Sequence, residues 1–157
     1  LKEKFPNLQV IIAKSDNTYI ELHDKSIRVE ENAKKAIIAS DVAIVASGTA
    51  TLECAIEETP FVACYKLSWL TWFLAKYLVK VKFSSIVNLI EGREIAPEFL
   101  QSKMEPQGIK NTLIKLLDQK SESRNQMLND FLKVKAKLGK PGVYIKVAND
   151  ILGATER

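Results

Sequence analysis

Histidine and cysteine are scarce in this sequence, and their scarcity removes several kinds of chemistry. One histidine, His23, occurs in 157 residues. No Ser-His-Asp arrangement can be assembled securely around it, and a surface position is expected. The two cysteines, Cys54 and Cys64, lie in apolar surroundings. That setting predicts reduced core thiols of a cytosolic protein rather than a disulfide or a metal pair. No His, Cys or Asp spacing suggests a bound metal, and no cofactor is expected. No apolar run is long and uncharged enough to span a bilayer. The opening residues lack the pattern of a secretory signal. Internal repeats and low-complexity segments are missing too. The net charge of +4 comes without a dense Lys/Arg stripe. It suits phosphate ligands or an anionic membrane surface, and it does not suit nucleic acid. A hydrophobic content of 46% and a charged content of 27% predict an ordered globular chain. The length suits one domain with a full core. A start at Leu1 rather than Met is expected of a piece of a longer protein.

The most informative stretch is Ser40 to Glu53. An apolar run, Val42 to Ala46, ends in the turn Ser47-Gly48-Thr49, and a helical pattern follows. A strand that feeds a helix through a small-residue turn presents free backbone N–H groups and the positive end of a helix dipole. That is an anion site, and its usual occupant is a phosphate. Gly48 lets the backbone approach closely. Ser47 or Thr49 can cap the helix and donate to an oxygen. Glu53, at the same helix end, could accept two hydroxyls of a ribose. A plain capped helix is the competing reading.

Short apolar strands alternate with helical patterns through the first two-thirds of the chain. Strands are expected at Leu8–Ala13, Ile27–Val29, Val42–Ala46, Phe61–Tyr65 and Ser85–Val87, and Tyr19–Leu22 reads as a short strand or a loop. Helices are expected at Glu30–Ala39, Thr49–Glu58, Leu67–Val81, Pro97–Gln101, Pro106–Leu117, Glu122–Leu138 and Gly142–Leu152. The pattern predicts an α/β fold: a Rossmann-like parallel sheet with helices on both faces, and extra C-terminal helices. Ligands of such sheets sit beyond the carboxyl ends of the strands, where the Ser47–Thr49 turn and Asn88 are expected. The division expected is a Rossmann-like domain over 1–118 and helices over 119–157 that pack on it or on a partner.

Ala46 to Glu53 resembles the diphosphate-binding segment of lipid-A-disaccharide synthase. So do Pro60, Tyr65, Leu67 to Thr71, Leu74 to Lys76 and Leu78 to Lys80. So does Asn88-Leu89-Ile90 with Gly92-Arg93-Glu94, Pro97-Glu98 and Leu100-Gln101. The resemblance covers Phe5 to Gln107 and extends to the last helices by pattern only. It implies a glycosyltransferase of two Rossmann-like domains, the GT-B arrangement, of which this chain is the C-terminal half. The implied reaction joins UDP-2,3-diacylglucosamine to diacylglucosamine 1-phosphate, giving a β-1,6 disaccharide and UDP. Two departures stand out. The segment Lys14 to Asp24 is short for the family. The N-terminal half, which carries the general base, is missing, so this chain is expected to bind donor without turnover.

Within that frame Ser47, Gly48, Thr49 and Ala50 form the diphosphate cradle, and Glu53 takes the ribose. Asn88 suits sugar hydroxyls or a glycosyl phosphate, against an Asx turn. Arg93, Glu94, Glu98 and Gln101 make a polar cluster beside it. Arg93 could pair with phosphate or form a salt bridge with Glu94 or Glu98. Trp69, Trp72, Phe73, Lys76 and Lys80 share one face of a helical pattern, and Leu70, Leu74, Tyr77, Leu78 and Val81 the other. From Lys66 to Lys82 there are four lysines and no acid. Rings beside ammonium groups predict contact with a lipid surface, against burial between domains. The partners expected are the UDP-sugar, the lipid monosaccharide phosphate and the inner-membrane surface from its cytoplasmic side. The resemblance adds a homodimer joined through exchanged C-terminal helices. Two other readings are a different UDP-sugar-dependent GT-B transferase and a non-catalytic, membrane-docking Rossmann-like module.

Overall fold

Five parallel strands and six α-helices make up the described residues of the computed structural model, which are 1–14, 24, 26–46, 48–68, 82–139 and 142–155. Strands β1 (Val10–Ala13) and β2 (Ile27–Glu30) pair in parallel, with Val10 opposite Ile27. Strands β3 (Ala43–Val45), β4 (Phe61–Tyr65) and β5 (Glu98–Leu100) form a second parallel sheet in that order. Ala43 faces Phe61, and Ala63 faces Glu98. Parallel neighbours need crossovers. Helix α1 (Ala33–Ile38) joins β2 to β3, and Asn32 caps it by accepting from the Lys35 N–H at 3.1 Å. Helix α2 (Thr49–Ile56) joins β3 to β4, and α3 (Ile86–Glu91) precedes β5. Helices α4 (Pro106–Leu117), α5 (Glu122–Lys137) and α6 (Val143–Thr155) follow. The architecture is α/β with parallel strands, as in a Rossmann-like half domain. Where one sheet was expected, the described residues form two, of two and three strands.

The core lies around β4, whose Phe61, Val62 and Ala63 are fully buried. From α2 come Cys54 and Ala55, from α4 Leu113 and Leu116. Helix α5 is built into this core. Its Met127, Phe131 and Val134, spaced at three and four residues, are buried. Phe131 stacks on Phe61 with ring centroids 5.7 Å apart. Polar links fasten the same helix. The Arg124 guanidinium donates to the carbonyls of Leu116 at 2.7 Å and Asp41 at 2.8 Å. Lys135 pairs with Glu58 and Lys137 with Glu91. Tyr144 and Ile145 of α6, by contrast, are 88% and 70% exposed. Both thiols are free. Burial pushes Cys54 up to about 12 and also raises Cys64.

Two elements differ from the sequence reading. Ser85–Val87, expected as a strand, is the entry to α3. Ser85 keeps an extended backbone at the N-cap, and Gly92 closes the helix in the left-handed region at φ 67°. Pro97–Gln101, expected as a helix with proline in its first turn, contains β5 and then a 3-10 turn, Gln101–Lys103. The Pro97 carbonyl accepts from the Ala63 N–H at 2.9 Å. A proline at the start of a strand joins the ladder by its carbonyl alone, so its missing N–H costs nothing there. The segment Tyr19–Leu22 lies outside the described residues, as does most of the expected helix at Leu67–Val81.

Asp130 of α5 is 1% exposed and accepts from Arg93, from Lys133 at 2.8 Å and from Gln126 at 3.2 Å. Burial by itself would raise its pKa. The donors, Arg93 first, outweigh burial and hold the carboxyl down to about 2. A carboxyl depressed in the folded state stabilises the fold above its ordinary value of 3.8 and loses that contribution as pH falls toward 2. Asp130→Asn is expected to lower stability at pH 7 by about 2 kcal/mol. In urea unfolding, the gap between wild type and variant should close between pH 4 and pH 2.

Candidate functional site

The amino end of α2 stands where β3 runs out, at the carboxyl edge of the three-stranded sheet. Gly48 is the N-cap residue, with φ 122° and ψ −154°. This combination is essentially restricted to glycine. The sequence suggested Ser47 or Thr49 as the cap. Thr49 is instead the first helical residue, no side chain among the described residues caps the helix, and Ser47 lies outside them. Among the described residues, a Cβ built on Gly48 would meet nothing within 4 Å. Thr49 is exposed and Ala50 half-buried. The N–H groups of a first helical turn have no intrahelical partner, and the helix dipole favours an anion there. Glu53 lies half-buried one turn beyond Thr49, on the same side of α2.

Behind this turn the start of α3 is tied to α2. The fully buried Thr51 donates its hydroxyl to the Gly48 carbonyl at 2.7 Å and accepts from the Ile86 N–H at 3.2 Å. Glu98 closes the first turn of α3 from inside. One carboxylate oxygen accepts from the Ser85 N–H at 2.9 Å, the Ser85 hydroxyl at 2.8 Å and the Asn88 amide at 2.9 Å. The other accepts from the Ser84 N–H at 2.9 Å and the Ser84 hydroxyl at 2.8 Å. Burial raises the Glu98 pKa. The hydrogen bonds from Ser85 and Ser84 outweigh that and hold it below the ordinary value.

Asn88 was expected to turn its amide to a ligand. It is fully buried instead. It donates to the Ala96 carbonyl at 2.8 Å and to Glu98, and it accepts from the Ile95 and Ala96 N–H groups at 2.8 and 3.0 Å. Its hydrogen-bonding capacity and that of Glu98 are spent within the protein. Arg93 pairs with Asp130 rather than with Glu94 or Glu98. Asp130 precedes Phe131, which covers the first residue of β4, so this pair sits at the opposite edge of the sheet. There Arg93, Glu94, Thr112, Lys115 and Gln126 line a cleft of about 300 Å³. Exposed Glu94 accepts from the Glu98 N–H at 3.3 Å.

Gln101 does reach the carboxyl edge. It follows Leu100, which pairs with Tyr65, and it adopts a left-handed φ of 52°. Two strand spacings, roughly 10 Å, separate it from the Gly48 turn. Trp69, Trp72, Phe73, Lys76 and Lys80 lie outside the described residues. Among the described residues no three His, Cys, Asp or Glu side chains are grouped to hold a metal, and no helix is long and apolar enough to cross a membrane. Sequence reasoning missed Thr51, Ser84 and Ser85. Paired serines before Ile86-Val87 are a helix-start signal, but the carboxylate that serves them lies 13 and 14 residues away.

Comparison with known proteins adds a family. A sequence model described as lipid-A-disaccharide synthetase matches residues 1–141. A lipid-A-disaccharide synthase of Anaeromyxobacter dehalogenans is 38% identical over 125 residues, covering 80% of this chain and 32% of the relative. That of Erwinia tasmaniensis is 37% identical over 142 residues, covering 83% and 37%. That of Blochmanniella pennsylvanica is 32% identical over 130 residues, covering 78% and 34%. The chain thus spans about a third of the length of these relatives.

Glu98→Gln replaces one acceptor oxygen by an amide that points hydrogens at donors. It is expected to cost about 2 kcal/mol at pH 7. Because the Glu98 carboxyl is held below its ordinary 4.5, its contribution is full above that pH and is lost as pH falls through the lowered value. Chemical denaturation over a pH series taken down from 7 should therefore show a difference between wild type and variant that shrinks once the pH falls below 4.5.

Proposed function

The chain belongs to the lipid-A-disaccharide synthetase family, and from that premise we propose that it is the nucleotide-sugar-binding part of a GT-B glycosyltransferase. The reaction proposed for the whole protein moves 2,3-diacylglucosamine from UDP to 2,3-diacylglucosamine 1-phosphate. The acceptor 6-hydroxyl attacks the anomeric carbon as the bond to the UDP oxygen breaks, with inversion. A carboxylate outside these residues takes the hydroxyl proton. Negative charge grows on the departing diphosphate, and the Gly48–Ala50 turn, joined by Ser47, meets it with fixed N–H donors.

The amino end of α2, headed by a glycine-only conformation and without a side-chain cap among the described residues, carries this reading. Glu53, one turn into the same helix, is proposed to accept the ribose hydroxyls. Gln101 approaches the donor sugar from the next sheet position but one. Asn88 and Glu98 serve as supports of that floor, while Arg93 and Glu94 hold the far edge. The Trp69, Trp72, Phe73, Lys76 and Lys80 face is proposed to meet the inner membrane from the cytoplasmic side. Exposed Tyr144 and Ile145 on α6 support a homodimer joined through the C-terminal helices.

Calorimetric titration with UDP, with UMP as the control, tests the cradle. UDP is expected to bind more tightly than UMP, and Gly48→Val is expected to abolish UDP binding while the fold survives. Unchanged UDP affinity in folded Gly48→Val protein would discard the reading.

A further inference from the structure

We infer that Thr51 is a positioning residue for the diphosphate turn, aiming the Thr49 N–H at the ligand without touching the ligand itself. The inference rests on the reading of Gly48–Ala50 as a diphosphate cradle. A threonine one turn into a helix often bonds back to a carbonyl three or four residues earlier, with no wider consequence. Thr51 does more. Its side chain is fully buried, and its hydroxyl works in both directions. It donates to the Gly48 carbonyl at 2.7 Å and accepts from the Ile86 N–H at 3.2 Å, on a helix 35 residues away. The Thr51 backbone N–H reaches the same carbonyl at 3.1 Å.

Two donors therefore hold one carbonyl oxygen from inside the protein. The peptide unit that carries this oxygen also carries the Thr49 N–H. In a trans peptide the carbonyl and the following N–H point in opposite directions. Anchoring the Gly48 oxygen toward the helix turns the Thr49 N–H the other way, out of the amino end of α2. Gly48 at φ 122° has no side chain to restrain that peptide plane. The Thr51 hydroxyl supplies the restraint, and Ile86 fixes the hydroxyl. Glu98 in turn fixes the residues just before Ile86 through Ser84 and Ser85.

The test uses the complete polypeptide that carries this chain, with Thr51→Val and Thr51→Ser. Valine keeps the shape and removes the hydroxyl, whereas serine keeps the hydroxyl. UDP and UMP are titrated calorimetrically, and the thermal midpoint is read for each protein. Thr51→Val is expected to lose about tenfold of the preference for UDP over UMP, and Thr51→Ser to stay within about twofold of wild type. Should Thr51→Val fail to fold, Thr51→Ala against Thr51→Ser gives the same comparison. A UDP preference unchanged without the hydroxyl overturns the inference and leaves the cradle standing. Equal weakening of UDP and UMP also overturns it, because that marks a merely structural residue. A wild-type protein with no preference for UDP removes the cradle, and the Thr51 assignment with it.

Discussion

A half-buried carboxylate at the start of β5 sets the arrangement of the residues beside the Gly48 turn. Glu98 gathers the N–H groups and hydroxyls of Ser84 and Ser85 and the Asn88 amide. It thereby fastens the second crossover of the sheet to the strand that follows it. Its negative charge lies at the positive end of α3, where the helix dipole and five donor groups compensate it. Two helix amino ends meet in this region. The acid fills one from within, and at the other, that of α2, no side chain among the described residues takes that place.

The two edges of the three-stranded sheet carry different work. At the amino edge, Phe131 covers Phe61, and Asp130 collects Arg93, Gln126 and Lys133. This is packing and charge compensation, and it secures α5 to the body. At the carboxyl edge stand the Gly48 turn, a half-buried acid at Glu53 and a left-handed Gln101. Parallel sheets place their ligands there because the strands end together and the crossover helices begin there. The cleft beside Arg93 lies at the amino edge, with the Asp130 pair.

Much of the fold was legible from residue patterns. Helices α4 and α5 were bounded by Pro106 and by apolar residues at three- and four-residue spacing. The strands at Phe61–Tyr65 and Val42–Ala46 stood out as short apolar runs between breakers. The misreadings were local and share a cause. Ile86-Val87 is an apolar pair, which fits either a strand or the first turn of a helix, and only the Glu98 carboxylate decides for helix. Pro97 suits a helix start or a strand entry, and only the Ala63 ladder decides for strand. Of the site, the Gly48 turn was legible because it depends on backbone conformation and on chain order.

The sequence by itself determined the alternation of short apolar strands with helices, the glycine turn between β3 and α2, and the family. Each of these is written in neighbouring residues. Tertiary structure alone decided which polar side chains are left for a ligand. Asn88, Arg93 and Glu98 read equally well as ligand contacts or as internal supports until their partners are known. Those partners lie 7 to 37 residues away along the chain. A side chain has a fixed number of hydrogen bonds to give. Which groups take them is settled when distant segments pack, and no local pattern records it.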